Sequence, residues 1–111
     1  MDIEEKLDIK LELIFCDSET RSEASTILMT YGNEPHEQEP TRVRLAILKL
    51  AGPVPNIEKL TEFAEFAKGD FRDVLAWAEY PRQSKHWSAK GAEKDKLEQA
   101  DLQEYQSWLN T

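Results

Sequence analysis

A chain of 111 residues has room for one domain, residues 1–111, and not for two. With 40% hydrophobic and 32% charged residues, it can bury a thin core beneath large charged faces. Its net charge of −8 opposes nucleic-acid binding, which takes most of its affinity from Lys and Arg on phosphates.

No run approaches the ~20 apolar residues that span a bilayer, and no signal-peptide pattern opens the chain. The lone Cys16 cannot build an internal disulfide framework. A cytoplasmic protein without membrane association is the expectation. All the net charge sits in residues 1–40, with eleven acids against three bases. Residues 41–81 hold six of each, and residues 82–111 hold five of each.

Residues 3–15 carry two periodicities at once. Leu7, Ile9, Leu11, Leu13 and Phe15 alternate as in a half-buried strand, whereas Ile3, Leu7, Leu11, Ile14 and Phe15 form a helical stripe. Alternation favours the strand. Context favours the helix, because no other segment offers a strand to pair with and an unpaired strand leaves its backbone groups open. Either way the segment has more apolar positions than one face needs, which points to residues 3–15 as a homodimer surface. Cys16 ends this apolar run and is expected to be buried and inert.

Asp17 or Ser18 can cap a helix that carries Ala24, Ile27, Leu28 and Tyr31 and stops at Gly32. The loop that follows concentrates Glu34, His36, Glu37 and Glu39 between two prolines. Carboxylate and imidazole donors suit several divalent metals. A single histidine on one short turn makes a poor ligand set, and the simpler reading is an exposed acidic turn that holds no metal. Thr41 can cap the next helix, where Val43, Leu45, Ala46, Ile47, Leu48 and Leu50 are apolar around most of the girth. Such a helix belongs at the centre of a fold. Arg42 and Arg44 flank Val43 there. One is expected to face the acidic loop and the other to pair with Asp70 or Asp73, because charges on a buried helix need partners. Gly52 and Pro53 end the helix.

Asn56 caps a helix with Ile57, Leu60, Phe63, Ala64 and Ala67 on one face, and Gly69 ends it. Asp70 then caps a helix with Phe71, Val74, Leu75 and Ala78 on one side, stopped by Pro81. At 100° per residue, Asp70, Asp73, Trp77 and Tyr80 line a second face. Two acids beside two amphipathic aromatics suit an interaction surface. Capping alone also accounts for both acids.

Arg82, Lys85, Lys90, Lys94 and Lys96, with His86 and Trp87 among them, form the one basic cluster. Glu93 and Asp95 dilute it, so it reads as a solvated connection and helix start, and no nucleic-acid partner is expected. The last helix, residues 94–109, has Leu97, Leu102, Tyr105, Trp108 and Leu109 on a broad face.

The chain contains no phosphate-cradling glycine loop, no C-x-x-C and no H-E-x-x-H, and no cofactor is implied. Residues 42–52, RVRLAILKLAG, and residues 69–81, GDFRDVLAWAEYP, resemble segments of a group of small bacterial helical proteins with no assigned activity. That resemblance covers residues 41–84 and implies a bacterial origin and a helical fold, but no mechanism. The reading is an all-α, orthogonal or bundle-like domain of four to five helices, built on the helices from Arg42 and from Phe71. Its expected role is that of a non-catalytic protein-interaction module. The alternative is a ligand binder or enzyme that uses Asp70, Asp73, Trp77 and Tyr80 with an arginine of the central helix, and it calls for a pocket rather than a flat patch.

Overall fold

The computed structural model describes residues 3–110, and every regular element among them is a helix. In chain order these are α1 (Ile3–Ile14), α2 (Ser18–Leu28), α3 (Pro40–Ala51), α4 (Ile57–Gly69), α5 (Phe71–Glu79), α6 (Pro81–Lys85) and α7 (Ala92–Leu109). The all-α reading holds, and the expected count of four to five rises to seven. The single turn α6 is the unforeseen element, and α1 answers the helical reading of residues 3–15.

Residues 3–15 resolve in favour of the helix. Leu11, Ile14 and Phe15 enter the core and Leu7 packs against it, while Ile3, Ile9 and Leu13 stay exposed. A helix satisfies its own backbone, whereas a strand here would meet no other strand among the described residues. The expected self-association surface shrinks accordingly, because four of its apolar side chains are committed to the fold. Cys16 also departs from expectation. It lies in the break between α1 and α2 and is exposed, its thiol donating to the Leu13 carbonyl at 3.6 Å.

Helix α2 starts as its sequence predicts, with the Asp17 carboxylate accepting from the Thr20 N–H at 3.0 Å. Its far end comes at Leu28, short of the expected Tyr31, where the Met29 N–H closes on the Ser25 carbonyl, and a side chain from another helix adds to the closure. Arg44 on α3 donates through Nε to the Leu28 carbonyl at 3.1 Å and through Nη2 to the Tyr31 carbonyl at 2.6 Å. The Leu28 carbonyl also accepts from the Tyr31 N–H at 3.3 Å, so Arg44 fastens the turn that follows the helix terminus. Gly32 follows at φ +103°, and a Cβ there would lie 2.6 Å from Pro40 Cβ, so only glycine fits.

Helix α3 begins earlier than Thr41. Pro40 takes the first helical position, where its missing N–H costs nothing and its fixed φ suits the helix. Val43, Leu45, Ala46, Ile47 and Leu48 are fully buried, and α3 packs against α1, α4 and α5. Burying each of the larger side chains stabilises the fold by about 1.5–3 kcal/mol.

Asn56 caps α4 by accepting from the Lys59 N–H at 3.0 Å. Asp70 then closes one helix and opens the next. Its N–H donates to the Phe66 carbonyl at 2.9 Å, and its carboxylate accepts from the Arg72 N–H at 3.0 Å. Pro81 stops α5 as expected, but it also starts α6, because proline is a good first residue of a helix.

Helix α7 corrects the expected apolar face. Leu102 is exposed, and Asp101 beside it is buried. Hydrogen bonding explains the rotation. The Asp101 carboxylate accepts from the N–H groups of Arg82 and Gln83 at 3.1 Å each, capping α6, and from both of their side chains. Burial alone would raise its pKa, but these donors hold it below the usual carboxylate range. Trp108 packs on the core, with the buried Lys10 ammonium 4.5 Å above its ring.

Candidate functional site

The one-residue joint at Asp70 sets α4 and α5 side by side with an open groove of about 540 Å³ between them. Helix α4 contributes Glu62, Glu65, Phe66 and Gly69, and α5 contributes Asp73 and Trp77, with Asp70 at the joint. The floor is aromatic. Trp77 meets Phe66 edge-on at 5.8 Å between centroids and Phe63 at 6.4 Å. These are the edge-to-face geometries that the ring quadrupole favours. Phe63 is partly buried against the core, while Phe66 is 48% and Trp77 39% exposed.

Four carboxylates rim this floor: Glu62, Glu65, Asp70 and Asp73. Two of them meet a cation directly. Glu65 faces Lys68 at 3.3 Å, and Asp70 pairs with Arg72 at 3.0 Å. The Arg72 guanidinium, then its backbone N–H, hold the Asp70 carboxyl below its ordinary range. Glu62 and Asp73 make no salt bridge among the described residues. Arg72 also interacts with Asp73 through space, so four acids face two cations and the rim keeps an excess of negative charge; above an apolar floor such a rim suits a cation that carries hydrophobic surface.

Three of the four expected site residues, Asp70, Asp73 and Trp77, meet here, and Tyr80 does not. Helix α5 ends at Glu79, and Tyr80 at φ −140° and ψ 61° has left helical geometry. The 100° spacing that groups it with Trp77 no longer applies to it. Tyr80 lines a separate groove with Arg42, Glu79, Gln83, Leu102 and Tyr105. The Tyr105 hydroxyl there is buried with no hydrogen-bond partner among the described residues, and burial drives its pKa up.

The arginines of α3 do not pair with Asp70 or Asp73. Arg42 binds Glu79 at 2.6 Å and Glu39 of the acidic loop at 3.0 Å. Arg44 is occupied by the carbonyls of the α2 terminus, and burial lowers its pKa. The constellation of acids, aromatics and a central arginine is thus divided between two grooves.

The loop before α3 serves structure. Glu37 is buried, and its Oε1 accepts from the N–H groups of Gly32, Asn33 and Glu34 at 2.9, 3.0 and 3.3 Å. Burial opposes its charge, but the three N–H groups and His36 hold its pKa below the usual range. The Tyr31 hydroxyl donates to the Gln38 carbonyl at 2.8 Å, and its pKa is pushed up to about 12 by burial and by the charges of Glu37 and Glu39. Glu39 is held by Arg42, and His36 lines a shallow groove near Asp70. Among the described residues, no three His, Cys, Asp or Glu side chains converge as metal ligands.

The basic stretch also divides. Arg82 is engaged by Asp101 and Glu104. Trp87, in the turn between α6 and α7, is 85% exposed. No helix among the described residues is long and apolar enough to cross a membrane.

Sequence reasoning missed the α4 half of the groove. Its signal was Phe66, an aromatic lying off the apolar face formed by Leu60, Phe63, Ala64 and Ala67. Comparison of the chain with protein-family models, with curated proteins and with solved structures finds no match.

Proposed function

We propose that this protein is a non-catalytic interaction module that docks a basic, apolar-bearing polypeptide segment in the groove between α4 and α5. The observation that carries this reading is the exposed Phe66–Trp77 floor beneath four carboxylates. A guanidinium or ammonium gains there from the indole face and from the rim together, and its alkyl stem covers the apolar floor. The groove is open along its length, a shape that receives a projecting side chain more readily than it encloses a small molecule. The sequence resemblance and the lone cysteine are what favour the bacterial cytoplasm as its place.

Gly69 supplies the test. It lines the groove, and a Cβ added there meets nothing within 4 Å. Gly69→Leu therefore obstructs docking while leaving the fold intact. Isotope-labelled protein is titrated with a short peptide of alternating arginine and leucine, and with an acidic counterpart. The expected result is that resonances of residues 62–77 shift with the basic peptide alone, weaken with salt and stay still in Gly69→Leu. Equal response to the acidic peptide, or shifts centred elsewhere, overturns the proposal.

A further inference from the structure

The chain carries a segment with the chemistry its own groove selects. Residues 85–90 read Lys-His-Trp-Ser-Ala-Lys, with two lysines, one aromatic side chain and no acid. Lys85 and Lys90 make no salt bridge among the described residues, unlike Arg82 just before them. Trp87 at their centre is 85% exposed, the highest value among the large hydrophobic side chains. An indole held in water in this way leaves most of its apolar area without a partner. On the other surface, the groove floor consists of half-exposed rings, and Glu62 and Asp73 on its rim make no salt bridge among the described residues, Asp73 meeting the Arg72 charge only through space. One site is cationic and projects an aromatic side chain. The other is anionic and concave, with an aromatic floor. They lie on different elements of the same chain, and Trp87 is too exposed to occupy its own groove.

Resting on the groove reading, we infer that the occupant of the groove is the Trp87 turn of a second copy of this chain, in a head-to-tail contact. Trp87 stacks against Phe66 and Trp77, while Lys85 and Lys90 meet Glu62 and Asp73. The contact is heterologous. If both turns engage both grooves at once, the two contacts combine into a closed two-fold dimer whose whole interface is isologous, and if they do not, the heterologous contact extends into short chains. A single turn in a single groove makes a small interface, so association is weak and transient. Its charge component weakens with salt.

Charge exchange tests this directly. Lys85→Glu with Lys90→Glu makes the turn acidic, and Glu62→Lys with Asp73→Lys makes the groove basic. All four side chains are exposed, so both variants keep the fold. Sedimentation is followed from micromolar to millimolar protein at low salt. The expected result is that wild type gains mass with concentration, that each variant alone remains monomeric, and that an equal mixture of the two associates again. In the mixture each acidic turn faces a basic groove and each native turn faces a native groove. Trp87→Ala is expected to remain monomeric as well. A wild-type chain that stays monomeric, or a mixture that does not recover association, overturns the inference. So does association lost in Ile9→Ser with Leu13→Ser but kept in the charge variants, which places the contact on α1. A synthetic peptide of residues 85–90 separates the two readings. If it shifts groove resonances while the chain remains monomeric, the groove reading stands and self-association falls. If it shifts none and the chain stays monomeric, both fall.

Discussion

The centre of the molecule and its C-terminal arm are held by different forces. Around α3, Val43, Ala46, Ile47 and Leu48 are fully buried and meet Leu11, Leu28, Leu60 and Val74 in one apolar cluster. The arm of α6 and α7 adds Trp108 to that cluster, and its one buried side chain is Asp101. Its other ties are polar: Arg82 to Asp101 and Glu104, and Lys49 to Glu104 at 3.9 Å. Apolar burial responds little to acid or salt, whereas carboxylate hydrogen bonds and ion pairs respond to both. The molecule therefore has one region whose stability is nearly constant near neutral pH and another that conditions can loosen.

The largest expected effect falls at the centre. Ile47→Ala or Leu48→Ala leaves a cavity in the buried cluster and costs about 2–5 kcal/mol, read from urea unfolding. Asp101→Ala comes next. It strips the caps from the partly buried N–H groups of Arg82 and Gln83, at about 0.5–2 kcal/mol. Amide exchange locates the damage: protection falls across α6 and α7 and holds in α3. A loss spread evenly over all helices breaks the contrast between the regions.

Acid acts in the same direction. The Asp101 and Glu37 carboxyls both have lowered pKa values in the folded protein. Such groups contribute stability that is complete above the unfolded carboxyl range, near ~4, and lost as pH falls through the lower folded values. Acid titration is thus expected to release residues 32–38 and the α6–α7 arm before α3, and Asp101→Asn to flatten the response of the arm. The smallest effect lies on the outer face of α1. Ile9 and Leu13 are exposed, so Ile9→Ser with Leu13→Ser shifts stability within about 0.5 kcal/mol at each site.

What the sequence reveals follows the same division. Local signals were legible: the caps at Asp17, Asn56 and Asp70, and the central place of α3 from its nearly continuous apolar run. Partnerships made across the chain were not. Asp101 reads as one more surface acid until the start of α6 is brought to it, and α6 itself hides behind a proline that reads as a stop. In the groove, Asp70, Asp73 and Trp77 share a face because α5 is regular from Phe71 to Glu79. Tyr80 lies one residue past the end of that regularity. The α4 wall comes into view only when two helices are read as one surface.

The joint at Asp70 has a further consequence. With a single residue serving as the end of α4 and the start of α5, no slack separates the two walls of the groove. The relative placing of the walls therefore rests on the two backbone angles of Asp70 and on the contacts that α4 and α5 make with each other and with α3. On the groove reading, a partner is then selected by width as much as by charge. On that reading, variation that retunes the groove acts either through the side chains on its walls, Gly69 and Asp73 first, or through the backbone at Asp70.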